Sequence, residues 1–320
     1  AGGLGLTRAG GTLTRSGMNT YTGPTTIDGG TLAITSTGGI TSNVTNNAAF
    51  ANAGTVAGSV TNNAGAIFTQ TGGSVSGGVT NAGTVNANGG ALNGAIANNA
   101  GGVFNVGGVV SGNGAFGNAS GAILAVAGTG SYTLAGLTNS GLVTVNAGGA
   151  LTANGGILNN ASGVITNNGT VTDELNNVGL VTNNGTYNAA VASNTGTITN
   201  NGTWNGNVAS SSGVISNVGT WNGNIVSSGT FTNSSTVSNG LTNSGNATTS
   251  GGAINGAIVN SGTFTVTGTT AGNGAFANSG TFALAGGDFT SLVSFTNSGM
   301  VTAASGGTLG TANFVNATGG

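Results

Sequence analysis

The chain has 320 residues, with two Arg, four acids, no Lys, His or Cys, and a net charge of −2. A charged fraction of 2 %, against about 25 % in an ordinary soluble domain, leaves acid–base catalysis and metal coordination almost no side chains to use. Arg8 and Arg15 alone cannot neutralise a run of phosphates, which argues against nucleic-acid binding. No enzyme, cofactor or metal site is therefore expected.

The longest mainly apolar run, Ala122 to Ala127, is far too short to span a bilayer, and no basic amphipathic stretch could dock on anionic lipid. Neither an initiator Met nor a charged and apolar leader stands at Ala1, so the chain reads as a mature product or an excised segment. Absent cysteine speaks against a disulfide-stapled fold and fits an exported chain that crosses membranes unfolded. Disorder pairs low hydrophobicity with high net charge, whereas this chain is 37 % hydrophobic and its apolar residues are periodic.

Residues 4–34 read LGLTRAGGTLTRSGMNTYTGPTTIDGGTLAI. Short strands are expected at Gly11-Thr12-Leu13 and Gly30-Thr31-Leu32, with Asp28-Gly29-Gly30 as a turn signal. Together with Ser16-Gly17, Asn19-Thr20-Tyr21-Thr22-Gly23 and Thr25-Thr26, these motifs resemble the autotransporter-associated β-strand repeat of Gram-negative autotransporter passenger domains. Arg15 departs from that pattern's apolar residue, and Pro24 stands where Gly is common. The resemblance covers residues 4–34 of the 320. It implies export to the bacterial outer cell surface and a β-helical stalk, and no particular activity.

Beyond these N-terminal rungs (1–40), residues 41–320 repeat one unit: apolar, any, Asn, any, Gly, any, apolar. It reads VTNAGTV at 79–85, LTNSGLV at 137–143, ITNNGTV at 165–171, VTNNGTY at 181–187 and ITNNGTW at 198–204. It continues as ISNVGTW at 215–221, IVSSGTF at 225–231 with Ser227 in place of Asn, IVNSGTF at 258–264, and FTNSGMV at 295–301. Each copy describes a strand, a turn and a strand. Val, Ile, Phe, Thr and Trp favour a pleated half-buried surface, while Asn suits a turn and Gly supplies positive φ. Alternation as in Gly262–Thr267 marks one buried face. With 67 Gly scattered through the chain, long helices are costly.

Spacing sets the architecture. Tyr187, Trp204 and Trp221 fall 17 residues apart, and Asn62, Asn81, Asn98, Asn118 and Asn139 are separated by 19, 17, 20 and 21. Such a period predicts one all-β domain over 1–320, a single right-handed parallel β-helix (β-solenoid) with rungs of about 16–21 residues. Roughly 17 rungs stacked at the interstrand distance would span about 80 Å, with interior apolar ladders and hydrogen-bonded Asn ladders at the turns. Stability would then accrue rung by rung, and the ends would expose unpaired strand edges unless capped.

Several residues invite a functional reading. The Tyr187, Trp204, Trp221 series could stack on sugar rings, although the same slot holds Val85, Val143, Phe231, Phe264 and Phe282 elsewhere, which favours core packing. The adjacent acids Asp173 and Glu174 point to opposite faces of a strand and do not make the carboxyl pair of a glycosidase; a loop between rungs suits them better. Asp28 and Asp288 suit turns. A calcium-binding β-roll needs an Asp in every repeat, which this chain lacks. Outward Thr arrays make ice binding conceivable, yet their matches are irregular.

The leading expectation is a non-enzymatic extracellular structural protein, a stalk or filament subunit that self-associates end to end or is tethered to the cell surface. Its terminal rungs, with Leu13, Tyr21 and Leu32 at one end and Phe295, Val301 and Phe314 at the other, would carry assembly by edge-strand pairing. The alternative is a surface adhesin whose flat face recognises a glycan or, less favoured, ice.

Overall fold

A computed structural model describes residues 5–317. The described chain is all β, with no helix, and its parallel strands stack into a β-solenoid of about 17 turns. It divides into two compact units, Ala1–Asp173 and Glu174–Gly320. Both are built the same way.

One turn of the first unit shows the construction. Strand Val79–Asn81 is followed by a bend, then strand Thr84–Ala87, then strand Gly90–Leu92, and the next turn begins at Ile96. Each strand pairs in parallel with its equivalent one turn on: Val79 with Ile96, Val85 with Phe104. Turn length varies as the sequence period predicts, from 16 residues between Asn46 and Asn62 to 21 between Asn118 and Asn139. Insertions fall in the bends, where extra residues bulge outward without disturbing the ladder.

Because successive side chains of a strand face opposite ways, most strands inside the stack bury every second residue. In Thr263–Val266, Phe264 and Val266 are buried and the two Thr are half-buried. Interior residues stack into columns such as Val44, Val60, Val79, Ile96, Phe116, Leu137 and Ile157. Each inner turn thus buries its core against the turns before and after it, so stability is a sum of neighbour terms.

The repeat's Asn is not a turn residue. It ends a strand and faces inward, fully buried. In the first unit Asn46, Asn62, Asn81, Asn98, Asn118, Asn139 and Asn159 form one column, each Nδ2 donating to the next Oδ1 at 2.7–2.9 Å. The second amide hydrogen reaches a backbone carbonyl in the next turn, as from Asn62 to Thr84 O, at the start of strand Thr84–Ala87, at 3.0 Å. A buried amide without partners costs about 1–3 kcal/mol; the ladder meets that demand within the stack. Asn is selected because it is short enough to stay in the column and carries both a donor and an acceptor.

The glycine two residues later is also explained differently than its turn propensity suggests. Gly185, Gly202 and Gly219 lie above one another without positive φ, and a Cβ on Gly219 would stand 2.1 Å from the Gly202 carbonyl oxygen. Close approach of stacked bends, not left-handed backbone, excludes a side chain there. Gly30 is different, with φ +71. Asp28-Gly29-Gly30, expected as a turn, instead lies inside the ten-residue strand Thr25–Ile34, at a register shift against Leu6–Arg15. It is a bulge in a continuous strand.

Candidate functional site

The side chains able to do chemistry do not converge. Among the described residues no three of His, Cys, Asp and Glu come together. Asp28 accepts Asn47 Nδ2 at 2.8 Å. Asp173, in the left-handed region at φ 132, accepts the Gly156 N–H at 3.0 Å. Asp288 accepts the Thr308 N–H at 3.0 Å and the Thr308 hydroxyl. Glu174 is exposed beside the start of strand Leu175–Asn177. Asp173, Glu174 and Asp288 lie outside strands, and the three aspartates brace bends or strand edges one turn away.

Tyr187, Trp204 and Trp221 form the tightest ring stack among the described residues, at 4.1 and 4.8 Å between centroids, each pair 5° from parallel. All three are 0 % exposed. Their slot in the strand faces inward, and the indole N–H groups are consumed within the fold, Trp204 donating to Ala189 O at 3.0 Å and Trp221 to Gly206 O at 2.9 Å. No ring face is open to a sugar. Glycan stacking on these residues is therefore corrected to core packing.

The outermost described turns are where ladder residues lack a neighbour. At the N-terminal end, Gly11-Thr12-Leu13 and Gly30-Thr31-Leu32 stack on each other, Thr12 on Thr31 and Leu13 on Leu32. Leu13 is half-buried and Leu32 fully buried. Tyr21 is half-buried, its hydroxyl 2.7 Å from Thr25 Oγ1. At the C-terminal end, Phe314 lies parallel to Phe295 at 5.6 Å. Phe295 is buried, while Phe314 is 55 % and Val301 37 % exposed. Of the six residues expected in the assembly rungs, Leu13, Tyr21, Val301 and Phe314 stand on the outer turns; Leu32 and Phe295 are the covered layer beneath them.

Sequence reasoning missed three further residues of these turns. Leu309 continues the inward column of Phe289. Arg8 and Arg15 stand in register with Ile27 and Ile34, on core-facing positions of the first turn. Aligning the two Gly-Thr-Leu motifs would have found both arginines, since it sets Arg15 against Ile34 directly.

Outward hydroxyls form a second ordered feature. Thr182, Thr199, Ser216, Thr232, Thr248 and Thr265 occupy one outward column of the second unit through six successive turns. Ser216, Thr232 and Thr248 line a shallow groove with Ser234 and Ser250. No helix among the described residues is long and apolar enough to cross a membrane.

No protein-family model matches the sequence, and no curated protein or solved structure matches it.

Proposed function

We propose that this chain is a non-enzymatic structural protein of the bacterial cell exterior, a β-solenoid stalk or filament subunit that joins neighbours through its terminal turns. The observation that carries this reading is the run of parallel turns itself, held together by backbone pairing, buried apolar columns and amide ladders. Edge strands with open hydrogen-bonding groups are templates for pairing. A stack held by backbone pairing, apolar columns and amide ladders needs no surface charge, which suits a chain with six charged residues. Placement at the cell surface follows from the resemblance of the Gly-Thr-Leu motifs of residues 4–34 to the autotransporter-associated repeat.

Electron microscopy of the purified chain over a range of concentrations tests the reading. Uniform filaments that lengthen with concentration are the expected outcome for a filament subunit. Single particles at every concentration would remove the filament version and leave the stalk. Side-by-side clumps that melt without a strand signal would remove both.

The six-turn hydroxyl column favours a second reading, an adhesin that binds a repeating ligand along a flat face. Replacing Thr199, Thr232 and Thr248 by Val, with the fold intact, would abolish that binding and leave end-joining unchanged.

A further inference from the structure

Six successive turns of the first unit carry an apolar stripe on their outer face. Ile67, Thr84, Val103, Ile123, Leu142 and Val164 each open a four-residue strand and pair in one unbroken column. The residue after each of them is buried, so these six point outward. Ile67 is 47 %, Ile123 36 % and Leu142 37 % exposed, and the other three are half-buried. In the second unit, from Thr230 on, the same slot passes to Thr and Asn, as at Asn246, Thr263 and Thr281. A row of exposed aliphatics on a β-surface is a template for association unless charge interrupts it. Nothing interrupts this one, because no charged residue lies between 60 and 167.

The order of residues in the stripe selects its occupant. A two-fold axis along the strands, midway between Val103 and Ile123, sets the column against its own reverse. Ile67 then faces Val164, Thr84 faces Leu142, and Val103 faces Ile123. Each pair joins one larger aliphatic to one smaller β-branched residue, so the summed size stays nearly constant along the contact, as interdigitating layers need. A parallel arrangement would instead set large on large at Ile67 and small on small at Thr84. The neighbouring outward column obeys the same rotation, with Asn86 facing Thr144 and Asn105 facing Ala125, all uncharged. Asn105 Nδ2 already donates to Asn86 Oδ1 at 3.1 Å.

Spacing points the same way. The stripe repeats at the interstrand distance of about 4.8 Å, which a second solenoid reproduces rung for rung. A helix repeats at about 5.4 Å and drifts out of register within a few turns. No aromatic ring stands in the stripe to stack on a sugar, and no basic residue lies beside it to reach anionic lipid.

We propose that this face pairs with the same face of a second copy, antiparallel about a two-fold axis, to give a side-by-side dimer of solenoids. Six strands about 13 Å long at about 4.8 Å cover roughly 400 Å² of each copy, below the about 800 Å² per partner of a standard interface. The pair is therefore reversible. A two-fold contact closes on itself, so it ends at two copies and is independent of joining through the ends.

Sedimentation equilibrium over a concentration series, with circular dichroism as the check on folding, tests the pairing. Wild type is expected to pass from monomer to dimer. Ile123→Thr/Leu142→Thr, which puts the second unit's residue into the centre of the stripe, should raise the dissociation constant roughly tenfold or more. Cysteine cross-linking reads the direction, since the chain has no cysteine of its own. Ile67 and Val164 lie about 24 Å apart along one column, and only the antiparallel pair brings them together. A mixture of Ile67→Cys and Val164→Cys chains should cross-link under mild oxidation much faster than either chain alone. Should the threonine pair fail to fold, the cysteine mixture still decides. Monomers at every concentration, or a dimer unmoved by the threonine pair, would overturn the proposal. Either single-cysteine chain cross-linking as fast as the mixture would overturn it too. Filaments formed equally by wild type and the threonine pair, with no dimer between monomer and filament, would remove the side-by-side pair and leave end-joining standing.

Discussion

Two stretches of the second unit fill the same kind of core in opposite ways. Between residues 186 and 222 successive turns are 17 residues long, and one column supplies the bulk: Tyr187, Trp204 and Trp221 lie face to face, 5° from parallel. Between residues 263 and 295 turns lengthen to 18 and 19 residues, and Phe264, Phe276, Phe282, Phe289 and Phe295 enter from several columns, many of them meeting edge to face. The flanking columns explain the contrast. In the first stretch Asn183, Asn200, Asn217 and Asn233 make a second amide ladder at 2.8–2.9 Å, so each of two sides gives one inward column to short polar side chains and the third carries the large rings. In the second, that ladder gives way to Val266 and Leu284, and apolar volume is shared around the turn. Rings of one column lie parallel or tilted, whereas rings entering from different columns mostly meet edge to face, a favoured arrangement.

The comparison breaks most severely if a ring is removed from the stack. Trp204→Ala takes away a ring held on both faces and deprives the Ala189 carbonyl of its indole donor. A loss of about 3–5 kcal/mol is expected. In the phenylalanine cluster, Phe282→Leu should cost less than about 1.5 kcal/mol, because neighbours from other columns can lean in. Urea unfolding followed by the remaining indole fluorescence for the first, and by circular dichroism for the second, measures both. Losses in simple proportion to the volume each variant deletes would mean that ring geometry is incidental and only buried volume counts.

The solenoid was legible because it is periodic. Seventeen-residue spacing at Tyr187, Trp204 and Trp221 places those side chains in one column whatever the local conformation, and alternation at Thr263–Val266 tells which face is inward. Local chemistry misled where stacking overrides it. Asn81 looks like a turn former, yet a repeating partner at Asn98 makes burial worthwhile; only the neighbouring turn reveals that. Asp28-Gly29-Gly30 looks like a hairpin turn, yet pairing on both sides carries the strand through it. The end turns were half legible. Val301 and Phe314 are ordinary repeat positions whose exposure follows from having no further turn in the structure, whereas Arg8 and Arg15 break the pattern in plain sight and gain meaning only through the register with Ile27 and Ile34.

A smaller effect sharpens the contrast at the amide ladder itself. Ser211 and Ser227 replace Asn beside Trp221 and Phe231, and the substitution leaves Ser227 Oγ and Asn243 Oδ1 buried without partners. The ladder resumes at Asn243, whose Nδ2 donates to Asn260 Oδ1 at 2.7 Å. Ser227→Asn would supply the missing donor to Asn243. If small serines are merely a gap in the ladder, this variant gains about 1 kcal/mol, read as a higher urea midpoint of the two-indole fluorescence. If serine is there to make room for the bulky rings, it loses about 1–3 kcal/mol by overpacking. The sign decides whether polar satisfaction or volume governs this stretch.

The smallest effect at neutral pH lies in the first unit, where Tyr132 joins both packing styles at once. It stacks on Phe104 at 5.8 Å and 12° and meets Phe116 edge-on at 6.0 Å and 84°. Burial pushes its phenol above the ordinary value, because the charged form cannot keep its hydration inside the core. The unfolded chain ionises near pH 10, so the folded state binds the proton more tightly than the unfolded state does. That preference is fully present below pH 10 and is lost as pH rises above it, by at most about 1.4 kcal/mol per pH unit for one group. Tyr132→Phe keeps the ring and removes the titration. It should leave stability at pH 7 within about 1 kcal/mol of wild type and flatten the alkaline decline, measured by thermal unfolding between pH 8 and 12. An unchanged alkaline decline would mean that the turns around Tyr132 open before its proton is lost, and that edge-to-face packing holds water out less well than the parallel stack around Trp204.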